Sequence, residues 1–200
     1  MIKKFRKQIR PTLMSILIFT GICGIMYTGV VTVISQTLFP YQANGSLVKV
    51  GDTIYGSKLM GQAFTQEKYL WGRFMQPSTV KVNNEWMMYA GPANMSPASD
   101  AYAKDIQQRL HYIKAAHPTQ HHEKVPVELI TQSGSGLDPH ISPSAAKYQV
   151  ARIAKERQMS VAQVQKIIDQ CTDKKILGIF GESTVNVLEV NLMLDEIVKT

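Results

Sequence analysis

Residues 133–143, SGSGLDPHISP, hold a serine, an aspartate and a histidine within a few positions: Ser135, Asp138 and His140. Those are the parts of an acyl-transfer site, where a hydroxyl attacks, an imidazole takes its proton and a carboxylate orients the ring. The local pattern argues against that chemistry. A strained nucleophile turn needs G-x-S-x-G, and Ser133 and Ser135 each lie one residue too close to the flanking glycines. The stretch reads better as a folded corner. Asp138-Pro139 suits the first two positions of a type I turn, with the aspartate oxygen accepting a backbone N–H. Ser142 then caps a helix that has Pro143 in its first position, and His140 is a bystander.

Other clusters suggest other chemistries. HPTQHHE supplies His117, His121, His122 and Glu123, which are metal-ligand types, but the spacing fits no structural zinc pattern and a solvated loop is expected. Two helices, 143–157 and 161–171, mimic a helix-turn-helix with Lys147, Arg152, Lys155 and Arg157 against Glu156. For ATP chemistry there is no G-x-x-x-x-G-K-[ST] loop, and Asp173-Lys174 continues with Lys175 rather than with the Thr-Gly of a phosphorylated aspartate.

The formal charge of +7 is localised. Lys3, Lys4, Arg6, Lys7 and Arg10 supply +5 before any acidic residue, which leaves +2 for the rest of the 200 residues. Such a balance marks a terminal tag and not a nucleic-acid face. No charged residue occurs from Pro11 to Phe39, and Leu13 to Ile34 is dominated by Ile, Leu, Val, Met and Phe. That length suffices for a bilayer core of about 20 residues, and no A-x-A cleavage pattern follows. The sequence therefore predicts a retained anchor. Its basic flank places the N-terminus in the cytoplasm by the positive-inside rule and residues 40–200 outside, away from any nucleic acid. Cys23 in the span and Cys171 far beyond it cannot pair. Along the span Thr20, Gly24, Thr28 and Thr32 recur every fourth residue, a stripe that lets another helix approach closely.

The expected organisation is a basic segment, 1–11, a transmembrane helix, 12–38, and one extracytoplasmic α+β domain, 40–200. Phe39-Pro40-Tyr41 marks the exit from the membrane. SLVKVGDTIYGS predicts a hairpin of short strands, and residues 72–97 read as loop with one strand around Trp86-Met87-Met88. Ala103, Ile106, Leu110 and Ile113 predict a helix over 100–116. KVPVELIT predicts a strand with Val125, Val127 and Leu129 facing inward, bent back by the glycines that follow it. Ala146, Val150, Ile153 and Ala154 share one face of the next helix. Ser160 and Gln163 form a capping box for a further helix carrying Val164, Ile167, Ile168 and Cys171, and VNVLEVNLMLDEIV closes as a strand running into a helix.

With these segments laid out, YQANGSL at 41–47, GSKLMGQAF at 56–64, VPVELITQSGSGLDPHISPSAAKYQVARIAKER at 125–157 and VNVLEVNLML at 185–194 resemble the C subunit of the Kdp-type potassium-transporting ATPase over nearly the whole length. Phe74-Met75-Gln76 interrupts the family's Gly-Arg-Pro-Ser run, and GPAN at 91–94 replaces its Gly-Gly-Ser-Asn. The resemblance implies a non-catalytic subunit of a high-affinity, ATP-driven potassium importer. Its expected partners are a channel-like potassium-binding subunit, a P-type ATPase subunit and membrane lipid. ATP and potassium are then handled by the complex with no cofactor held stably here, and the family role is to raise the ATP affinity of the pumping subunit. The alternative from another class is a membrane-anchored extracytoplasmic hydrolase using Ser135.

Overall fold

The computed structural model describes residues 2–75, 78–82, 85–89, 91, 92, 94–120 and 122–198. Two compact units partition the chain, Met1–Leu47 and Val48–Thr200. The first is helical. Helix α1 spans Ile2–Phe19, a π-helical segment spans Thr20–Tyr27, and α2 spans Thr28–Leu38. Within it Lys7–Leu38 is long and apolar enough to cross a membrane, and none of its most apolar window is buried within the chain. A helical stretch uncharged from Pro11 to Leu38 and with no buried face satisfies its backbone internally and leaves its side chains to lipid or to other helices. The helix breaks at Phe39, whose φ of −132° is not helical, and Pro40 opens the single turn α3, Pro40–Ala43.

The second unit mixes helices and short strands. Strands β1, Leu47–Val50, and β2, Thr53–Ser57, pair as the alternation around Gly51-Asp52 predicts. Residues 72–97 hold two strands rather than one: β3, Ser78–Val82, and β4, Glu85–Tyr89, pair antiparallel with Val80 opposite Met87. The polar run that reads as loop is an antiparallel hairpin, whose partner strand supplies the backbone bonds. Its link, Asn83-Asn84, lies outside the described residues.

Helix α4 spans Asp100–Ala116, as the four-residue apolar spacing predicts, and Ser99 caps it by accepting the Tyr102 N–H at 3.2 Å. The strand expected at 124–131 is absent. A 3₁₀ turn occupies Val127–Leu129, where Leu129 N–H bonds Pro126 and Thr131 N–H bonds Val127. Pro126 removes a ladder donor, and the chain meets its own hydrogen-bonding needs locally instead of pairing. The apolar alternation misleads here: Leu129 is buried but Val127 is exposed.

Helix α5, Pro143–Arg157, lies at the centre, with Ala145, Ala146, Val150, Ile153 and Ala154 all buried. Small alanines let α6, Val161–Gln170, and the strand β7, Thr184–Asn186, come close to it. Gln158 takes a left-handed conformation, φ 55°, and ends α5, and two residues later Ser160 starts α6 with a complete capping box to Gln163. The final helix α7, Val187–Leu194, adds Val187, Val190 and Leu194 to the same core. Each such aliphatic side chain contributes about 1.5–3 kcal/mol on burial. Strand β7 also forms the middle of a three-stranded sheet between β5, His140–Ile141, and β6, Thr172–Asp173, with Ile141 opposite Val185.

Candidate functional site

The 133–143 stretch folds as a corner sewn by its own polar side chains. Ser133 Oγ accepts the Asp138 N–H at 3.4 Å, Ser135 Oγ accepts the Leu137 N–H at 3.1 Å, and Asp138 Oδ1 accepts the His140 N–H at 3.0 Å. Asp138 also faces Arg73 at 3.7 Å. The His140 ring lies between Asp138, 3.8 Å away, and Asn186, 3.3 Å away, while its backbone pairs with β7. Ser135 is occupied with the loop backbone and with Ser133 Oγ at 3.4 Å, so the elements of acyl transfer are not assembled around it.

The backbone turn bond closes earlier than the type I turn expected at Asp138-Pro139, from Gly136 N–H to the Ser133 carbonyl, and His140 already belongs to β5; the Pro139 carbonyl accepts the Val187 N–H at 3.0 Å, which ties this stretch to the start of α7. Ser142 accepts the Ala145 N–H at 3.2 Å as the cap of α5, with Pro143 in the first turn, and Glu128 accepts the Ser142 N–H at 2.7 Å. Two close approaches explain Gly136 and Gly61. A Cβ on Gly136, φ +74°, would lie 2.5 Å from the Gly91 backbone, and one on Gly61 would lie 2.8 Å from the Asp138 carbonyl oxygen.

A second constellation was not visible as a motif. The segment Glu67–Trp71, which begins in a turn closed by Tyr69 N–H on the Gln66 carbonyl, is strapped to α5 and α7 by buried side chains. Gln149 accepts the Trp71 N–H and donates to the Trp71 carbonyl, both at 2.9 Å. Asn191 does the same for Leu70, at 2.8 and 3.0 Å. Each carboxamide therefore replaces a neighbouring strand, which satisfies two buried backbone groups at once.

Arg152 completes the strap. Its guanidinium donates to the carbonyls of Glu67 and Tyr69, to Gln149 Oε1 at 2.7 Å and to His117 Nε2 at 3.1 Å, and stacks 3.9 Å from the Trp71 ring centroid. Burial lowers its pKa to about 10, still charged at neutral pH. A buried cation held by neutral acceptors and an aromatic face suits arginine, which is weakly hydrated and planar. His117 is 3 % exposed, and burial lowers its pKa to about 4. It is neutral: Nδ1–H donates to Ile113 at 2.7 Å and Nε2 accepts from Arg152. The signal available in the sequence is a polar residue on an apolar face, since Gln149 and Arg152 interrupt the stripe of Ala145, Ala146, Val150 and Ile153.

The histidine tract does not converge. His117 turns inward, contrary to the solvated loop expected for it, because it closes α4 against Arg152 and Tyr148, whose ring centroid is 4.9 Å away. His122 and Glu123 face outward, and His121 lies outside the described residues. Among the described residues no three His, Cys, Asp or Glu side chains are grouped to hold a metal.

The basic face of the α5–α6 pair is also dispersed. Arg152 is buried, and Arg157 bonds Asp195 at 2.6 Å and the carbonyls of Lys68 and Leu194. Burial alone would raise the Asp195 pKa, but hydrogen bonds from Arg157 and Tyr69 outweigh it and hold the carboxyl below its usual range. Cys171 is buried against Met193 Sδ at 3.2 Å, and burial pushes its thiol up to about 12, so it is packing and not a nucleophile.

In the membrane-spanning helix the threonine–glycine stripe meets the π-helical segment. Thr28 Oγ1 donates to the Cys23 carbonyl five residues back at 3.1 Å, the reach of a wide turn. A Cβ on Gly24 would lie 3.7 Å from Thr20 Cγ2, so those two positions share a face. Thr32 follows in α2. An i→i+5 segment shifts a four-residue repeat around the helix, so Thr20 and Gly24 are offset from Thr32 relative to a pure α-helix.

Apart from the straps, a cavity of about 290 Å³ lies among Phe64, Trp71, Phe74, Tyr112 and Leu129, with Arg109 stacked 3.9 Å over the Phe74 ring. Its walls are apolar, and Arg109 bonds the Ile130 carbonyl at 3.4 Å and faces Asp105 at 3.7 Å.

The geometry describes a folded unit with a buried polar frame around Arg152, Gln149 and Asn191, and a bare apolar helix. The model of the family described as the K+-transporting ATPase c chain, KdpC, matches residues 9–196. The potassium-transporting ATPase KdpC subunit of Clostridium perfringens is 50% identical over 196 residues, covering 96% of this chain and 99% of that one. The KdpC subunit of Clostridium botulinum is 50% identical over 200 residues, with 98% and 100% covered, and that of Herpetosiphon aurantiacus 44% over 192 residues, with 96% and 97% covered. Anchor, corner and strap all fall inside the matched span, and the chain belongs to the KdpC family, the c chains of the K+-transporting ATPase.

Proposed function

We propose that this chain is the accessory subunit of an ATP-driven potassium import complex, assembled with a channel-like potassium-binding subunit and a P-type ATPase subunit. The observation that carries the reading is the family match over 9–196, which takes in both the bare apolar helix and the folded unit. An uncharged single helix has no ion path of its own, so it serves assembly. The basic segment before it keeps the N-terminus in the cytoplasm and puts the folded unit outside, over the ion entrance. ATP and potassium are bound by the other subunits, with nothing held stably here. An effect on ATP affinity is then a coupling between states carried through the membrane helices, because a domain outside cannot touch nucleotide inside.

Two measurements test this. Purification in mild detergent from cells expressing the whole complex should recover the potassium-binding and ATPase subunits in fixed ratio with this chain, and recovery of the chain alone would overturn the reading. Protease added to intact spheroplasts should digest residues beyond 40 and spare the N-terminus, and protection of the folded unit would reverse the orientation.

A further inference from the structure

Between β6 and β7 the chain makes a short tip, Lys174 to Gly181, with the sequence KKILGIFG. Four large apolar side chains stand in solvent there: Ile176, Leu177, Ile179 and Phe180 are 63–84 % exposed. A single exposed leucine needs no explanation, but four in five residues on a folded tip do. The tip is also closed by its own backbone bonds. Ile176 and Phe180 exchange both backbone bonds, at 2.9 and 3.0 Å, Ile179 N–H bonds Ile176, and Gly178 N–H bonds Lys175. Leu177 is held at φ 54°, a left-handed conformation that costs a non-glycine residue about 1 kcal/mol or more and pushes its side chain outward. The tip is mounted on β7, whose Val185 and Asn186 are buried.

We propose that this tip is a docking knob that inserts into an apolar pocket on another subunit of the transport complex. The inference rests on the subunit reading above. Three observations select that occupant. Asp173, Lys174, Lys175 and Glu182 balance to zero, and Lys175 is paired with Glu182 at 3.1 Å, so no net charge draws the tip to anionic lipid headgroups. A fixed, strained turn suits a pocket of matching shape, whereas a fluid bilayer rewards no particular shape. The four side chains cover roughly 500 Å², below the about 800 Å² per partner of a free-standing interface. A knob this small works only against a surface already held nearby, as a membrane protein bound by the same chain's helix would be. A second copy meeting this one knob to knob would fall short of the same area.

The test uses the full-length chain within the expressed complex. A photo-crosslinking amino acid in place of Phe180 should label a different subunit, and labelling of lipid, of a second copy, or of nothing would overturn the proposal. Leu177→Gly removes the side chain while fitting the left-handed turn, so it should raise the melting temperature slightly yet lower recovery of the partner subunits about tenfold under stringent detergent. Unchanged recovery would refute the knob. Failure of the subunit reading looks different, because then the unaltered chain would also purify alone.

Discussion

Gln149 and Trp71 exchange two hydrogen bonds, each of 2.9 Å, so that one buried carboxamide does for a loop residue what a neighbouring strand would do. Gln149→Leu preserves much of the bulk but leaves the Trp71 N–H and carbonyl, and one arm of Arg152, without a partner. Each buried orphan costs about 1–3 kcal/mol, so thermal melting of the full chain should show a loss on the order of 3 kcal/mol. Gln149→Glu can still accept from Trp71 and meets Arg152 as an ion pair, and it should be the milder change. Equal melting of Gln149→Leu and the native chain would mean the strap contributes nothing.

His117 makes stability depend on pH. Its folded pKa of about 4 lies below the 6.5 of an unfolded histidine, so the unfolded chain binds the extra proton first. Stability is complete above pH 6.5 and is lost as pH falls toward 4, by on the order of 3 kcal/mol across the window. Asp195, held below 3.8, loses its contribution only at lower pH. His117→Gln can keep a donor to Ile113 and an acceptor for Arg152 without titrating. Denaturant midpoints measured at pH 7 and pH 4.5 should therefore differ less in that variant, and an equal difference in both proteins would remove His117 as the cause.

In the corner, structural and chemical roles separate by substitution. Asp138→Ala and Ser142→Ala each lose a turn or cap bond of roughly 1 kcal/mol and should lower the melting temperature. Gly136→Ala meets the Gly91 backbone at 2.5 Å in a left-handed conformation and should cost more, about 2 kcal/mol or above, while Gly134→Ala finds open space and should be near neutral. Ser135→Ala and His140→Ala should leave potassium-dependent ATPase activity of the assembled complex near normal. Loss of activity in Ser135→Ala with stability and assembly intact would restore a catalytic role for that serine.

For the membrane helix, Gly24→Leu and Ile25→Leu divide packing from lipid exposure. A side chain at Gly24 meets only Thr20 of its own helix, at 3.7 Å, so the helix itself tolerates it, and Ile25 already projects outward. Only Gly24→Leu should reduce co-purification of the other subunits. Equal recovery with both variants would place the stripe against lipid.

The sequence by itself determined whatever depends on neighbours three or four residues apart or on bulk polarity. The apolar span, the caps at Ser142 and Ser160, the extent of α4 and the closing strand and helix follow from local spacing and from the absence of charge between Pro11 and Phe39. Tertiary structure alone decided which polar groups turn inward. Gln149 and Trp71 are 78 residues apart, Asn191 and Leu70 are 121 apart, and Arg152 and His117 are 35 apart. No local pattern encodes such pairs, because a buried amide or guanidinium is stable only if a distant backbone arrives to satisfy it. The strand expected at 124–131 failed for the same reason: alternation gives a strand its face, but only a partner strand gives it hydrogen bonds, and after Pro126 the chain bonds to itself.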